Sequence, residues 1–148
     1  MMYEIKKARE ENFDIIKSFL FEVPAIDFVD EEVLKNASIL YLENKIFGII
    51  SYELFFNYAL IRYFVFKRNI DEMVIRELFD SIVESVSEKD VDFIFSLVNQ
   101  QDIFDLFSSL NFKEVNKEEI FIEEQVFQKS KFKDTKLMIK KLLGLLCI

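Results

Sequence analysis

The side chains that could carry acid–base chemistry in this chain are Asp, Glu, Tyr and Lys. Its 148 residues include no His and one Cys, Cys147. A Ser-His-Asp or Cys-His triad therefore cannot be built, and neither can the common zinc sites, which use several Cys or His ligands. Any proton transfer must use a carboxylate, a phenol or an amine.

The segment FKRNIDEMVIRELF (66–79) joins an aromatic stretch to a helical pattern. Such a strand–turn–helix corner binds phosphate in many enzymes, because the first N–H groups of the helix are free and its dipole is positive there. This corner has no Gly, and Asp71 and Glu72 stand where an anion would lie. A structural role fits these residues too, with Asn69 or Asp71 capping the helix and Glu72 pairing with Arg76.

Composition indicates one ordered domain. Hydrophobic residues make up 51% of the chain and 18 residues are Phe, whereas Gly and Pro number 2 and 1, so most residues should lie in regular elements with short turns. The net charge of -8 argues against binding to nucleic acid. No apolar run reaches the roughly 20 residues that span a bilayer. We therefore expect a cytoplasmic protein, and the lone Cys agrees with a reducing compartment.

The hydrophobic pattern predicts strands and helices mixed around one sheet. Strands are predicted at residues 3–8, 38–55 (two strands joined by a tight turn at Glu43-Asn44-Lys45), 58–67, 91–98, 112–115 and 119–128. Helices are predicted at residues 10–22, 30–37, 71–87 and 100–110. The apolar run 91–98 indicates a central strand that is buried on both faces.

These elements and four positions resemble the GNAT acyltransferase superfamily. LENKIFGIISYEL resembles its second hairpin, FVFKRNIDEMVIRELF falls at its acyl-CoA loop, and SLVNQQDIFDLFSSLNFKEV resembles its closing strand–helix–strand. The resemblance covers about residues 3–125 and includes Gly48, Val65, Asn99 and Phe112. It implies an α+β fold with a mixed, mostly antiparallel twisted sheet, helices on both faces and a parallel pair formed by strands 58–67 and 91–98.

The resemblance also implies a site for acetyl-CoA. In the family the pantetheine arm lies between that parallel pair, and amides at the following helix start bind the pyrophosphate. The matching positions here are Val65, Lys67, Ile70, Met73, Val74, Ile75 and Asn99. The family loop reads Arg or Gln, two residues, Gly, one residue, Gly or Ala. Those places are held by Ile70, Met73 and Ile75, so both Gly positions carry large side chains that should crowd a phosphate.

The catalytic positions of the family are changed as well. Phe107 holds the place of the Tyr that often protonates the departing thiolate, and it has no proton to give. The usual Glu of the strand before the loop is absent, which leaves Glu53 as the nearest base and Tyr63, with Tyr52 and Tyr58, as nearby hydroxyls. Exposure at a strand end explains Glu53 equally, and strand packing explains the tyrosines. Asn99 could likewise act as a helix cap.

Three functions follow. The first is transfer of an acetyl group from acetyl-CoA to a primary amine of a small molecule or protein, with acidic residues favouring a cationic acceptor. The second is a GNAT-like binding module without acyl-CoA binding. The third is a subunit that depends on a partner. No metal site is expected.

Residues 129–148 carry a basic tail beyond the predicted GNAT-like domain at residues 1–128. Six Lys and one Asp give the tail +5, which leaves -13 on the preceding residues. Lys133, Lys136 and Lys140 fall on one side of a predicted amphipathic helix, with Leu and Met residues elsewhere. We expect this helix to dock on the acidic domain or in a homodimer contact, with membrane attachment as the alternative.

Overall fold

The computed structural model describes residues 2–98, 101–114, 121–122, 125–126 and 136–141. Its helices are α1 (Phe13–Leu20, after a 3-10 turn at Glu10–Asn12), α2 (Glu31–Leu34), α3 (Glu72–Ser87) and α4 (Gln101–Ser109). Its strands are β1 (Tyr3–Lys7), β2 (Ser38–Leu42), β3 (Lys45–Leu54), β4 (Tyr58–Phe66), β5 (Phe93–Val98), β6 (Lys113–Glu114), β7 (Phe121–Ile122), β8 (Gln125–Val126) and β9 (Lys136–Lys141).

A seven-stranded mixed sheet has the order β1-β2-β3-β4-β5-β9-β6, and β7 pairs with β8 alone. Backbone contacts divide the chain into two compact units. The first unit is Met1–Leu54 with Ile61–Asp90, and the second is Phe55–Leu60 with Val91–Ile148. The division expected at residue 128 lies outside the described residues and stays a prediction.

In the first unit, helices pack on both faces of the strands. Phe13, Ile16, Phe19 and Leu20 of α1 are buried in a cluster with Ile49 of β3, which confirms the apolar face predicted for this helix. Successive residues of a strand point to opposite faces, and Leu78 of α3 packs against β3 at Gly48, on the face opposite Ile49. Helices therefore cover both sides of β3.

Two local features fix the β2–β3–β4 region. Glu43 and Asn44 both have positive φ, 50° and 69°, which is the backbone of a type I′ hairpin turn. At the other end of β3, the Phe55 N–H donates to the Tyr58 carbonyl at 2.9 Å. Because so short a turn reverses the chain, β3 and β4 run antiparallel. The predicted meander of residues 38–67 is confirmed.

The second unit contains the predicted parallel pair. Tyr58, Ala59 and Leu60 of β4 pair in parallel with Phe93, Ile94 and Phe95 of β5. β9 then lies antiparallel between β5 and β6. The mostly antiparallel sheet and the parallel pairing expected from the GNAT resemblance are therefore both present.

The helix expected in the basic tail is wrong for residues 136–141, which form β9. Met138 is fully buried, whereas Ile139 and Lys140 are half-buried. The segment joins the sheet because β5 and β6, which are distant in sequence, supply backbone partners that override local helix propensity. Lys133 and the rest of the tail, residues 129–135 and 142–148, lie outside the described residues.

The strand predicted at residues 119–128 is also different. It contains β7 and β8, which pair antiparallel with Phe121 opposite Val126. The prediction of a single strand was therefore wrong, because the described residues of this segment form two short strands that pair with each other.

Candidate functional site

The corner between β4 and α3 is a tight loop tied to β3. The Lys67 N–H donates to the Phe47 carbonyl at 2.8 Å. Asn69 has a φ of 66°, a left-handed conformation that Asn tolerates better than most residues. The chain therefore turns at Asn69 and enters α3 two residues later, at Asp71.

Asp71 caps α3 with its own carboxylate. Its Oδ1 accepts the Met73 N–H at 2.9 Å, and its carbonyl accepts the N–H groups of Val74 at 2.9 Å and Ile75 at 3.2 Å. The predicted pair between Glu72 and Arg76 is also present, with an N–O distance of 3.5 Å. The helix start thus already holds an anion that belongs to the chain, and an incoming phosphate would have to compete with it.

The two residues at the family's Gly positions have different surroundings. Met73 is exposed, with 65% of its surface accessible, whereas Ile75 is buried at 7%. Ile75 therefore belongs to the apolar face of α3, and the expectation that it crowds a phosphate is wrong. Any crowding at the helix start comes from Met73 and from the Asp71 carboxylate.

A second cluster lies where β3 and β4 run side by side. The Arg62 guanidinium pairs with the Glu53 carboxylate at 2.5 Å and lies 5.7 Å from the centre of the Tyr63 ring. The Ser51 hydroxyl donates to the Arg62 carbonyl at 2.9 Å. The structure thus brings together the two residues predicted for catalysis, Glu53 and Tyr63, with Arg62 between them.

Tyr63 has an unusual backbone for a strand residue. Its φ is 51°, a left-handed conformation in which a non-Gly residue is strained by about 1–3 kcal/mol. Its phenol oxygen accepts the Asp30 N–H at 2.9 Å, and Asp30 is the N-cap of α2. The tyrosine therefore links an irregular point of β4 to the start of α2.

Comparison with known proteins rests on structure alone. The sequence matches no family model and no curated protein. N-acetylglutamate synthase from Neisseria gonorrhoeae, solved with coenzyme A and N-acetyl-glutamate, matches with a TM-score of 0.78 at 13% identity over 96% of this chain and 35% of that chain. A GNAT-family acetyltransferase from Staphylococcus aureus matches with a TM-score of 0.71 at 14% identity over 95% and 99%. Arabidopsis thaliana Naa50, solved with the bisubstrate analogue CoA-Ac-MVNAL, matches with a TM-score of 0.73 at 11% identity over 95% and 99%.

The chain has the GNAT fold. It spans about a third of the N-acetylglutamate synthase chain and nearly all of the other two proteins. Among the described residues, no helix is long and apolar enough to cross a membrane. The same residues contain no cluster of His, Cys, Asp and Glu side chains suited to a metal ion.

Other residues predicted to form the GNAT site make packing contacts within the fold. Phe107 is buried and packs edge-on against Phe112, with ring centres 4.9 Å apart. Val65 packs against the α1 cluster, and the Lys67 ammonium lies 4.8 Å from the centre of the Phe47 ring. Asn99 lies outside the described residues.

The two alternative tyrosines of this GNAT-fold chain also make structural contacts. The Tyr52 hydroxyl lies 2.7 Å from the Ser85 hydroxyl, and the Tyr58 ring stacks on Phe55 with ring centres 4.9 Å apart. Arg62 is likewise engaged, because it pairs with Glu53. The sequence could have predicted this pair from the β3–β4 hairpin. Ser51 lies opposite Arg62 in the hairpin, and Glu53 lies two residues farther along the same face, within reach of a long side chain.

Proposed function

We propose that the chain is a GNAT-fold acyltransferase that transfers an acetyl group from acetyl-CoA to a primary amine. The strained Tyr63 in β4 carries this proposal, because strained backbone is kept mainly where function needs it. The resemblance assigns an oxyanion-binding amide to the same strand. Two of the matched structures contain coenzyme A or an analogue of it.

In the proposed reaction the neutral amine attacks the thioester carbonyl carbon. A C–N bond forms, the C–S bond breaks, and the amine proton passes to a base or to water. Backbone amides of β4 stabilise the oxyanion, and Glu53 and Tyr63 are the proposed acid–base groups. Because the Tyr63 oxygen accepts the Asp30 N–H, its own proton can serve as the donor in this proposal. Phe107 is no barrier, because a thiol of ordinary pKa near 8.5 leaves readily as a thiolate near neutral pH.

The proposed acyl-CoA site lies along β4 and the start of α3. Its proposed members are Val65, Lys67, Ile70, Met73 and Val74. Lys67 and Arg68 supply positive charge for the phosphates. The acceptor is a small-molecule or protein amine, and the acidic surface of the chain suits a cation.

The Asp71 cap supports a second candidate, a GNAT-fold binding module that has lost acyl-CoA binding. The Asp71 carboxylate accepts a hydrogen bond from the Met73 N–H. A pyrophosphate at the helix start would need that donor. The first candidate predicts weak but measurable binding, whereas the second predicts none.

Calorimetry with acetyl-CoA, together with mass spectrometry of the purified protein for bound acyl-CoA, tests both candidates. In Asp71→Asn the cap is retained, because Asn caps as well as Asp, but a negative charge beside the phosphates is removed. We expect roughly fivefold tighter binding, the equivalent of about 1 kcal/mol for one charge pair near water.

Glu72→Gln is the matched control, since Glu72 is an exposed neighbour that does not cap the helix. It should change affinity less than Asp71→Asn. If neither the wild type nor Asp71→Asn binds acetyl-CoA, the binding-module candidate replaces the enzyme. Tight binding by the wild type would show that the Asp71 cap does not oppose the phosphates.

A further inference from the structure

A groove of about 480 Å³ lies on the first unit at the start of α3. Its apolar lining comes from three strands and from α3 with its preceding loop: Tyr3, Leu42, Phe47, Ile70 and Val74. The volume falls in the range of small-molecule sites. Leu42, Phe47, Ile70 and Val74 are each half-buried, so they offer apolar surface to a ligand.

Hydrogen bonds hold the walls of the groove in place. The Tyr3 hydroxyl donates to Glu77 of α3 at 2.6 Å, and the Lys67–Phe47 backbone bond fixes the loop against β3. The Asp71 cap fixes the start of α3 on the same side. A ligand would therefore enter a preformed site and lose little affinity to ordering of the protein.

The rim of the groove carries one charge of each sign. Arg68 and Asp71 both line it, and both are exposed. Within the described part of the chain, Arg68 forms no ion pair, and Asp71 holds one backbone N–H through a single oxygen. A simple anion would meet Asp71 and a simple cation would meet Arg68, so a ligand with both charges fits the rim best.

We propose that this groove binds a free α-amino acid with a large apolar side chain. The carboxylate pairs with Arg68, the ammonium pairs with Asp71, and the side chain lies against Phe47, Leu42 and Val74. The groove uses none of the β3–β4 groups Glu53, Arg62 and Tyr63, so the proposal goes beyond acyl transfer. It shares Arg68, Ile70 and Val74 with the proposed acyl-CoA site, and the amino acid would compete with acetyl-CoA there.

Amide NMR titration of the full chain with L-phenylalanine tests the proposal. We expect saturable shifts at the amides of Tyr3, Phe47, Arg68 and Val74. N-acetyl-L-phenylalanine lacks the ammonium and L-phenylalaninamide lacks the carboxylate, so each should bind at least about tenfold more weakly, as expected for loss of a charged hydrogen bond. Equal binding of all three compounds would overturn the zwitterion assignment.

Variants locate the site. Arg68→Gln and Asp71→Asn should each weaken L-phenylalanine binding at least about tenfold, whereas Lys89→Gln, an exposed control at the other end of α3, should leave it unchanged. No saturation at about 10 mM, or the same affinity in Arg68→Gln, would overturn the proposal. Shifts at these amides that depend on protein concentration alone would overturn it in favour of a second copy in the groove.

The outcome is separable from that for acyl-CoA. Asp71→Asn should strengthen acetyl-CoA binding and weaken amino-acid binding. Loss of one result therefore leaves the other intact.

Discussion

Tyr63 combines a left-handed backbone with a side-chain hydrogen bond to a distant segment. Its backbone is left-handed, and its side chain accepts a hydrogen bond from the backbone of a distant segment. The hydrogen bond to Tyr63 satisfies the partly buried Asp30 N–H, which would cost free energy without a partner. This favourable contribution helps offset the backbone strain at Tyr63. The residue is thus held in place from β4 and from α2.

Tyr63→Phe should lower the free energy of unfolding by about 1 kcal/mol, the net value of an ordinary hydrogen bond. It should also reduce any acetyl transfer, since the phenol proton is lost. Urea titration and a CoA-release assay measure the two effects. Tyr41→Phe is the matched control, because Tyr41 is another half-buried strand tyrosine and its contact with Lys6 uses the ring.

Tyr3 gives the chain a dependence on alkaline pH. The hydrogen bond to Glu77, followed by desolvation and the Glu77 and Asp71 charges, raises the pKa of Tyr3 above its ordinary value of 10.0. A group whose pKa is raised in the folded state contributes its full stability at pH values below the unfolded-state pKa. This contribution is lost as the pH rises through the folded-state pKa. Tyr3→Phe should therefore melt below the wild type at pH 8, and the difference should shrink above pH 10. An unchanged difference at pH 11 would show that the contribution comes from packing.

At the scale of elements, α3 depends on close contact with β3. A Cβ placed on Gly48 would lie 3.3 Å from Phe66 Cβ and 3.4 Å from Leu78 Cδ2. The Phe66 Cβ is fixed to the backbone of β4, so it cannot move away as the end of a flexible side chain could. The absence of a side chain at Gly48 lets β4 and α3 approach β3 together.

Gly48→Ala should lower the free energy of unfolding by about 1 kcal/mol, because overpacking outweighs the entropic benefit of replacing Gly. Chemical denaturation provides the measurement. Lys45→Ala, at the exposed start of the same strand, should have a smaller effect. A more stable Gly48→Ala protein would show that α3 can shift without cost.

Hydrophobic periodicity predicts a helix or strand well when the spacing of its own apolar residues determines which face is buried. The spacing in α3 predicts a seven-residue apolar face: Val74, Ile75, Leu78, Phe79, Ile82, Val83 and Val86. Five of these residues are buried, and Val74 and Val83 are half-buried. The sequence also limits the cap to Asn69 or Asp71, and the structure shows that the Asp71 carboxylate accepts the Met73 N–H. The groove was not predicted, because Tyr3, Leu42 and Phe47 come from three different strands.

At the scale of the whole molecule, β9 shows where local sequence is insufficient. Lys136–Lys141 reads KLMIKK, which suits one turn of an amphipathic helix as well as a strand. The choice is made by β5, whose residues Phe93–Val98 pair with β9 along its full length. Such long-range pairing leaves no signal in the six residues themselves.

A chain that ends after Thr135 should lose solubility or melt at a lower temperature, because the β5 and β6 edges that pair with β9 become free to aggregate. A chain that ends after Leu142 keeps β9 and is the matched control. Size-exclusion chromatography and thermal melts measure both proteins. Equal stability and a monomeric state for both would show that β9 contributes nothing to the second unit.

Because β9 lies between two strands that precede it in the chain, the sheet cannot be completed until β9 has been synthesised. β5 and β6 leave the ribosome before the strand that lies between them. Until β9 follows, the free edge of β5 and the strand β6 can pair directly with each other in a wrong register. Release from that state requires their separation, so slow elongation after residue 114 would favour misfolding, and rapid delivery of residues 136–141 would protect the native sheet.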